Sequence, residues 1–334
     1  MTDKPLPAYD ELPVTPGAPP GSSWGVWGAQ DQLGTLNLLN DARTLEAVRL
    51  VRRGAVFPLG LPLHEPDPHL VWRTPPRHRI LHVGHEARGM QPGGADDTGP
   101  GHVDRDDYLD GLWLQGSSQW DGLTHIRHPR WGNYNGVPDA DIHGGPGTKL
   151  GVDQWAARAI VGRGVLLDIP AYMRDAGRPY DPKGSHAITG ADLDAAARRQ
   201  GVQVQSGDIL LLHTGWMQCY LQADREERAR MVEPGKGRAP GLECARRSLE
   251  YVWNLHVAAI AADTMGVEVA GPEYSFELHQ DLLPLLGIPL GEYWVLDALA
   301  RDCAADGQYA FLLVSVPLNV RGGVGSPPQA VAIK

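Results

Sequence analysis

The chain has little of what would tie it to a disulfide framework, to nucleic acid or to a membrane. Its three cysteines, Cys219, Cys244 and Cys303, lie far apart in 334 residues. An odd and scattered set forms neither a disulfide framework nor a C-x-x-C metal knuckle, and it implies a reducing compartment. Basic residues are outnumbered, 30 Lys and Arg against 40 Asp and Glu, for a formal charge of -10. Nucleic acid and anionic membranes both need a basic face that displaces counterions, so neither is expected as a partner. No apolar run approaches the ~18 residues of a membrane span. The first twenty residues are polar and Pro-rich, without the basic and apolar regions of a signal peptide. The expectation is a cytoplasmic protein that takes a small-molecule substrate.

What is present suffices for a large core: 42% of residues are hydrophobic and 21% charged. Residues 1–35 hold Pro5, Pro7, Pro13, Pro16, Pro19 and Pro20 and then Trp24 and Trp27. They read as an extended arm whose tryptophans dock on a partner subunit or on the chain's own domain. Residues 36–334 read as one domain. Asn40 offers an N-cap to a helix over 41–53, stopped by Gly54 and followed by a strand over 55–63. From 75 to 107, Gly, Pro, Asp and His dominate without a sustained period, which predicts an irregular insertion. Strands are then expected at 164–169, 208–213, 257–262 and 309–316. Helices are expected at 191–200, 221–231, 243–255, 275–283 and 293–303. This alternation gives an α/β fold class. Residues 144–151, GGPGTKLG, lack the spacing of a phosphate loop.

Chemistry-bearing residues concentrate in 117–136, SSQWDGLTHIRHPRWGNYNG, where Asp121, His125 and His128 lie among Trp120, Trp131 and Tyr134. Asp121 and His125, four apart, share a side on a helix and on a strand alike. About one or two acid–histidine pairs at this spacing arise by chance in such a chain, so the spacing alone favours the plain alternative, a surface pair or a satisfied core histidine. Farther on, His279 sits among Leu278, Leu282, Leu285 and Leu286, where a buried, hydrogen-bonded histidine is the plain alternative to a ligand. Glu292 follows the 287–291 turn. The segment 206–216, SGDILLLHTGW, is an apolar strand ending in Thr214 and Gly215, able to present its carboxyl end to a ligand. Residues 319–329 read as a turn-rich loop.

Taken in order, the phrases RGVLLDIP, GDILLLHTGW, AADTMGVEV with Asp263, the stretch from His279 to Glu292, and VPLNVRGGVGSPPQAVAI resemble the cyclase family that includes bacterial kynurenine formamidases and isatin hydrolases. The resemblance runs from about Trp24 to the end. It implies a swivelling β/β/α fold in a single domain and a homo-oligomer, a dimer or tetramer. It also implies a divalent metal, Zn or Mn, that activates water against an amide or lactam carbonyl, as in an arylformamidase of tryptophan catabolism by way of kynurenine. The family motif is His-x-Gly-Thr-His-x-Asp-x-Pro-x-His. Here Thr124, His125 and Pro129 match it, while Asp121 stands for the first His, Leu123 for the Gly, Arg127 for the Asp and Trp131 for the last His, the family's proton mover. His279 and Glu292 match the downstream ligand pair.

These departures reshape the implied site. Aspartate also ligates Zn or Mn, so Asp121, His125, His279 and Glu292 form a mononuclear ligand set. Guanidinium has no lone pair, so Arg127 holds a substrate carboxylate or pairs with a nearby acid. Proton transfer falls to His128, His143 or His279, with Glu292 as ligand or base. Trp120, Trp131 and Tyr134 then suit a flat aromatic substrate. The implied activity is hydrolysis of an aryl formamide, lactam or related cyclic amide. The alternatives are a rewired lyase, dehydratase or cyclase, and a non-catalytic small-molecule binding protein.

Overall fold

The apolar runs of the second half become the parallel centre of a nine-stranded sheet in the computed structural model, which describes residues 5–67, 73–84, 103–274 and 277–334. In chain order the strands are β1 (Val56–Pro58), β2 (Arg77–Gly84), β3 (Val103–Asp110), β4 (Gln119–Asp121), β5 (Ile160–Asp168), β6 (Ala187–Ile188) and β7 (Ile209–His213). There follow β8 (Gly241–Leu242), β9 (Ala259–Ala262), β10 (Leu290–Glu292), β11 (Ala310–Ser315), β12 (Gly325–Ser326) and β13 (Ala330–Ile333). The helices are α1 (Asp41–Val48), α2 (Val152–Arg158), α3 (Ile169–Asp175), α4 (Gly190–Gln200), α5 (Trp216–Gln222), α6 (Arg225–Met231), α7 (Arg246–Asn254), α8 (Glu277–Leu282) and α9 (Asp297–Asp306). The large sheet has the order β1-β13-β11-β5-β7-β9-β10-β4-β12. Strands β5, β7, β9 and β10 run parallel, and the flanking strands pair antiparallel.

Strand alternation divides the core into two layers. Val165, Leu167, Leu210, Leu212, Ile260, Ala262 and Leu290 pack with residues of α3, α4, α7 and α8. Leu166, Ile209, Leu211, Ala259, Ala261 and Trp120 pack with residues of α2 and α9. Helices on both faces of a mixed sheet with a parallel centre are the α/β architecture expected from the sequence. Because Leu290 pairs with Asp121 and Gln119 with Glu292, these four side chains share the first face at the sheet's β10–β4 side. Trp120, between them, points to the other.

The arm residues from Pro5 onward lie on the chain itself. Trp253 Nε1 donates to the Pro7 carbonyl at 2.8 Å, and Trp24 Nε1 donates to Pro284 O at 2.8 Å. Ser23 N–H and Oγ donate to the carbonyls of Leu285 and Leu286. The arm thus clasps α7 and the segment after α8, the helix that carries His279.

Several elements differ from the expectation. The helix over 41–53 ends at Val48, and the strand over 55–63 keeps only three residues. The supposed irregular insertion contains the β2–β3 hairpin, whose alternation is hidden by its charged residues; 85–102 lie outside the described residues. One helix over 221–231 is two, because Ala223 is extended and Asp224 caps the second by accepting from Glu227 N. The helix expected at 293–303 begins only at Asp297, since Tyr293 has φ 56 and cannot continue either strand or helix. The C-terminal loop supplies β12 and leads into β13, which lies between β1 and β11.

Candidate active site

The site is built from three separate stretches of chain. Strand β4 delivers Gln119 and Asp121, strand β10 delivers Glu292, and α8 delivers His279 from the layer above. Asp121, Glu292 and His279 are all buried, and each offers a ligand atom within 4.8 Å of the others'. His279 Nε2 lies 2.9 Å from Glu292 Oε1 and 3.7 Å from Asp121 Oδ2. His125, on the turn after β4, brings Nε2 to 3.6 Å from Asp121 Oδ1. One carboxylate thus faces both imidazoles, joining residues more than 150 positions apart.

Two buried groups orient these donors. Glu268 accepts from His279 Nδ1, with both oxygens at 2.6 Å. That leaves Nε2 as the atom turned toward Asp121 and Glu292, the carboxylate–histidine arrangement that fixes a ligating tautomer. Gln119 donates through Nε2 to Glu292 Oε2 at 2.7 Å and to Asp121 Oδ1 at 3.2 Å. Among the described residues, seven buried side-chain nitrogen or oxygen atoms lack a hydrogen-bond partner, and one of them, Gln119 Oε1, belongs to the residue that bridges Asp121 and Glu292.

Electrostatics point the same way. Burial, and then the charge of Asp121, push the Glu292 carboxyl up to about 7. Burial acts against ionisation of Asp121 as well, but His125 and His279 overcome it and hold that carboxyl below its ordinary value. His279 resists deprotonation: burial opposes its charge, and Glu268, Asp121 and Glu292 more than compensate. Burial holds His125 below its ordinary value, as the neutral imidazole that a metal requires. Three carboxylates around one imidazolium leave the cluster short of positive charge. A divalent cation at His279 Nε2, Asp121 and Glu292 fits this donor set.

The structure does not gather every residue expected here. Trp120 is fully buried, lies edge-on to Trp294 at 4.8 Å and donates to Ser315 Oγ at 2.9 Å, so it belongs to the core instead of a substrate pocket. Strand alternation is the reason. Tyr134 is equally buried and donates to Asp31 Oδ2 at 3.0 Å. Arg127 is 55% exposed and pairs with Asp139 at 3.3 Å, away from the cluster. Trp131 is half-buried beneath Arg130, 4.3 Å from its ring centre. His128 Nδ1 accepts from the N–H groups of Arg130 and Trp131 at 3.0 Å each, which makes it the cap of a turn. His143 likewise accepts from Gly145 N. Glu268 and Gln119 were not anticipated. Gln119 follows from alternation two residues before Asp121, whereas Glu268 lies in the AADTMGVEV phrase without any spacing that marks it.

A second buried cluster sits on the opposite face at the carboxyl ends of β5, β7 and β9. His213 Nδ1 is 3.1 Å from Asp168 Oδ1, and Nε2 is 3.2 Å from Asp297 Oδ1. Asp263 accepts from Thr214 N, Thr214 Oγ1 and Gly215 N. Both imidazole nitrogens donate here and Asp263 has its donors, so the cluster reads as a structural tie between the starts of α3 and α9. Although burial opposes its charge, Asp168, Asp297 and Asp263 raise His213 to about 10. Its folded value exceeds the ordinary 6.5, so its stabilisation is complete below about 6.5 and lost as pH rises to about 10. Thermal melts are expected to fall over that window by the equivalent of a few kcal/mol, and His213→Gln to flatten this slope. A wild-type melting temperature constant from pH 7 to 10 rejects the tie. A groove of about 1080 Å³ under the arm, lined by Pro5, Trp27, Asn37 and Arg43 among others, includes no residue of either cluster.

Comparison with known proteins agrees with the fold. The family model described as "Putative cyclase" matches residues 65–269. A crystal structure of a novel cyclase superimposes with a TM-score of 0.79 at 33% identity, covering 94% of this chain and 99% of that one. Isatin hydrolase A from Ralstonia solanacearum gives a TM-score of 0.54 at 18% identity, over 89% of this chain and 98% of that one. Isatin hydrolase A from Labrenzia aggregata, bound to benzyl benzoate, gives 0.54 at 18%, over 86% and 94%. At such identity the isatin hydrolases share the fold. No curated protein matches. Among the described residues no helix is long and apolar enough to cross a membrane. The matched family model and the 33% identical structure, which spans nearly the whole chain, agree: the chain belongs to the cyclase family.

Proposed function

We propose that this chain is a metal-dependent hydrolase of a carbon–nitrogen bond in an aryl formamide, lactam or related cyclic amide. The observation that carries the reading is the buried convergence of Asp121, His279 and Glu292, with His125 on the same Asp121 carboxylate. Asp121, His125 and His279 would hold a divalent ion, Zn or Mn, with Glu292 as a further ligand or as the base, and the ion would lower the pKa of water and polarise a carbonyl. Glu268 fixes the His279 tautomer. Gln119 Nε2 donates to Glu292 Oε2, and Oε1 faces His279 Nε2 at 2.9 Å; with an ion on that imidazole, Oε1 would be the oxygen to accept a proton from water. Protonated there, Glu292 returns the proton to the leaving nitrogen, and a carboxyl raised to about 7 serves both directions at neutral pH. The isatin hydrolases share this chain's fold, and isatin is a cyclic amide, which supports a cyclic amide as substrate here.

The test is metal analysis of the purified chain together with assays on formanilide and isatin. Near-stoichiometric Zn²⁺ or Mn²⁺ and metal-dependent ring opening or deformylation are expected. A protein that takes up neither ion overturns the reading. A metal-loaded protein that eliminates water or cyclises its substrate instead selects the lyase or cyclase alternative, for which the same base would serve.

A further inference from the structure

The arm bridges the two stretches of chain that bring the histidines to the site. Tyr134 and Asn135 follow the turn that carries His125, and residues 284–287 are the link between His279 on α8 and Glu292 on β10. Toward the first stretch, Gly25 N–H donates to Asn135 Oδ1 at 3.0 Å, and Asn135 Nδ2 donates to the carbonyls of Gly28 and Asp31 at 3.2 and 3.3 Å. The buried Tyr134 hydroxyl donates to Asp31 Oδ2, which also accepts from Gly34 N–H at 2.9 Å. Toward the second, the bonds from Ser23 and Trp24 to Pro284, Leu285 and Leu286 are joined by Thr35 N–H, 2.8 Å from Gly287 O. One run of the arm, residues 23–35, thus holds both stretches.

The three segments meet without slack at Gly34, Gly287 and Tyr134. Gly34 has φ 60, and a Cβ there would lie 2.0 Å from the Gly287 carbonyl oxygen; Gly287 has φ 68, and a Cβ there would lie 2.6 Å from the Tyr134 ring. Neither contact can yield through the end of a flexible side chain, because one neighbour is backbone and the other a fully buried ring. What the junction fixes is relative position. His125 and His279 face one carboxylate, that of Asp121, at 3.6 and 3.7 Å, and a shared ion tolerates an error of only about 0.5 Å in such a set. Neither histidine is held by a long element of its own, since His125 lies on a turn and α8 spans 6 residues.

We propose that arm residues 23–35 are a positioning strap of the metal centre, with Gly34 and Tyr134 as its positioning residues. The docked strap holds His125 and His279 at the spacing an ion requires. By thermodynamic reciprocity, an ion bound between them tightens the strap by the same factor. The assignment rests on the metal-site reading given above, and it gives Tyr134 a role through Asp31 and Gly287 in place of contact with substrate.

The experiment is calorimetric binding of Mn²⁺ to the full-length wild type, Gly34→Ala, Tyr134→Phe and Gly28→Ala, alongside melting temperatures of the metal-free proteins. Gly28 is the control: it lies in the same run at φ 98, so alanine strains the arm there too, but no atom stands within 4 Å of the added Cβ. Gly34→Ala should weaken Mn²⁺ at least tenfold, the scale of a lost outer contact at a metal site, and Tyr134→Phe about threefold to tenfold. Gly28→Ala should melt lower yet bind Mn²⁺ within about twofold of wild type. Amide exchange reads the reciprocal effect: Mn²⁺ should slow the Ser23, Gly25 and Thr35 N–H groups of wild type and leave the largely exposed α6 unchanged. Wild-type Mn²⁺ affinity in Gly34→Ala overturns the strap, as do equal losses in Gly34→Ala and Gly28→Ala, or arm exchange indifferent to Mn²⁺. Should Gly34→Ala not fold, Tyr134→Phe and the exchange of wild type decide. Failure of the underlying metal-site reading shows separately, as wild type that takes up no Mn²⁺.

Discussion

Replacing His279 by alanine is expected to abolish uptake of Zn²⁺ or Mn²⁺ and to lower amide hydrolysis at least 10³-fold, since metal assistance supplies several kcal/mol to such a reaction. Its Nε2 is the imidazole nitrogen that both Asp121 and Glu292 face, at 3.7 and 2.9 Å. Removing it leaves three buried carboxylates with no cation between them. Glu268→Gln should behave differently, because Glu268 meets His279 at Nδ1 and the backbone N–H and leaves Nε2 to the site; a loss of 10- to 100-fold in metal affinity is expected, with activity recovered at high metal. The measurement is metal content after dialysis, alongside circular dichroism to establish folding. A folded His279→Ala protein that retains one equivalent of metal rejects the site as drawn.

Uptake also carries a pH signature. A proton on Glu292 and one on His279 occupy the atoms a cation needs. Below about 7 both are displaced on binding, and above it only the His279 proton is. Affinity therefore climbs steeply with pH up to about 7 and less steeply beyond. A pH-independent affinity is incompatible with this donor set.

How far the sequence disclosed this site depends on what kind of signal each residue leaves. The apolar runs of β5, β7, β9 and β11 were legible because burial on both faces demands them. His279 and Glu292 were legible through order and resemblance, and Asp121 with His125 through their spacing. Trp120 was misplaced for a reason the sequence did contain: β4 is only three residues long, too short to announce its period of two. Once the strand is known, Asp121 and Trp120 must face opposite ways. Glu268 left no trace of this kind, since it reaches His279 from a loop whose path tertiary contacts decide. Tyr293 was read as a helix start because a positive φ at a tyrosine has no compositional marker.

Replacing Glu292 by glutamine is expected to cost 10²- to 10⁴-fold in rate while most of the metal remains bound, the separation that distinguishes a proton acceptor from an essential ligand. Glutamine preserves the shape of the side chain and still offers an oxygen, but it cannot take a proton from water. In wild type the carboxyl must be ionised to act, so the rate rises with pH through its pKa. Burial and the Asp121 charge place that value at about 7, and a divalent ion alongside pulls it lower. The acid limb of the rate profile is therefore expected at or below about 7, and it should vanish in Glu292→Gln. Asp121→Asn is the matched comparison: its carboxylate faces both His125 and His279, so its loss should release the metal and the activity together. A Glu292→Gln enzyme within threefold of wild type, or one that keeps the same acid limb, assigns the proton to another group. Equal loss of metal in both variants makes Glu292 a ligand first.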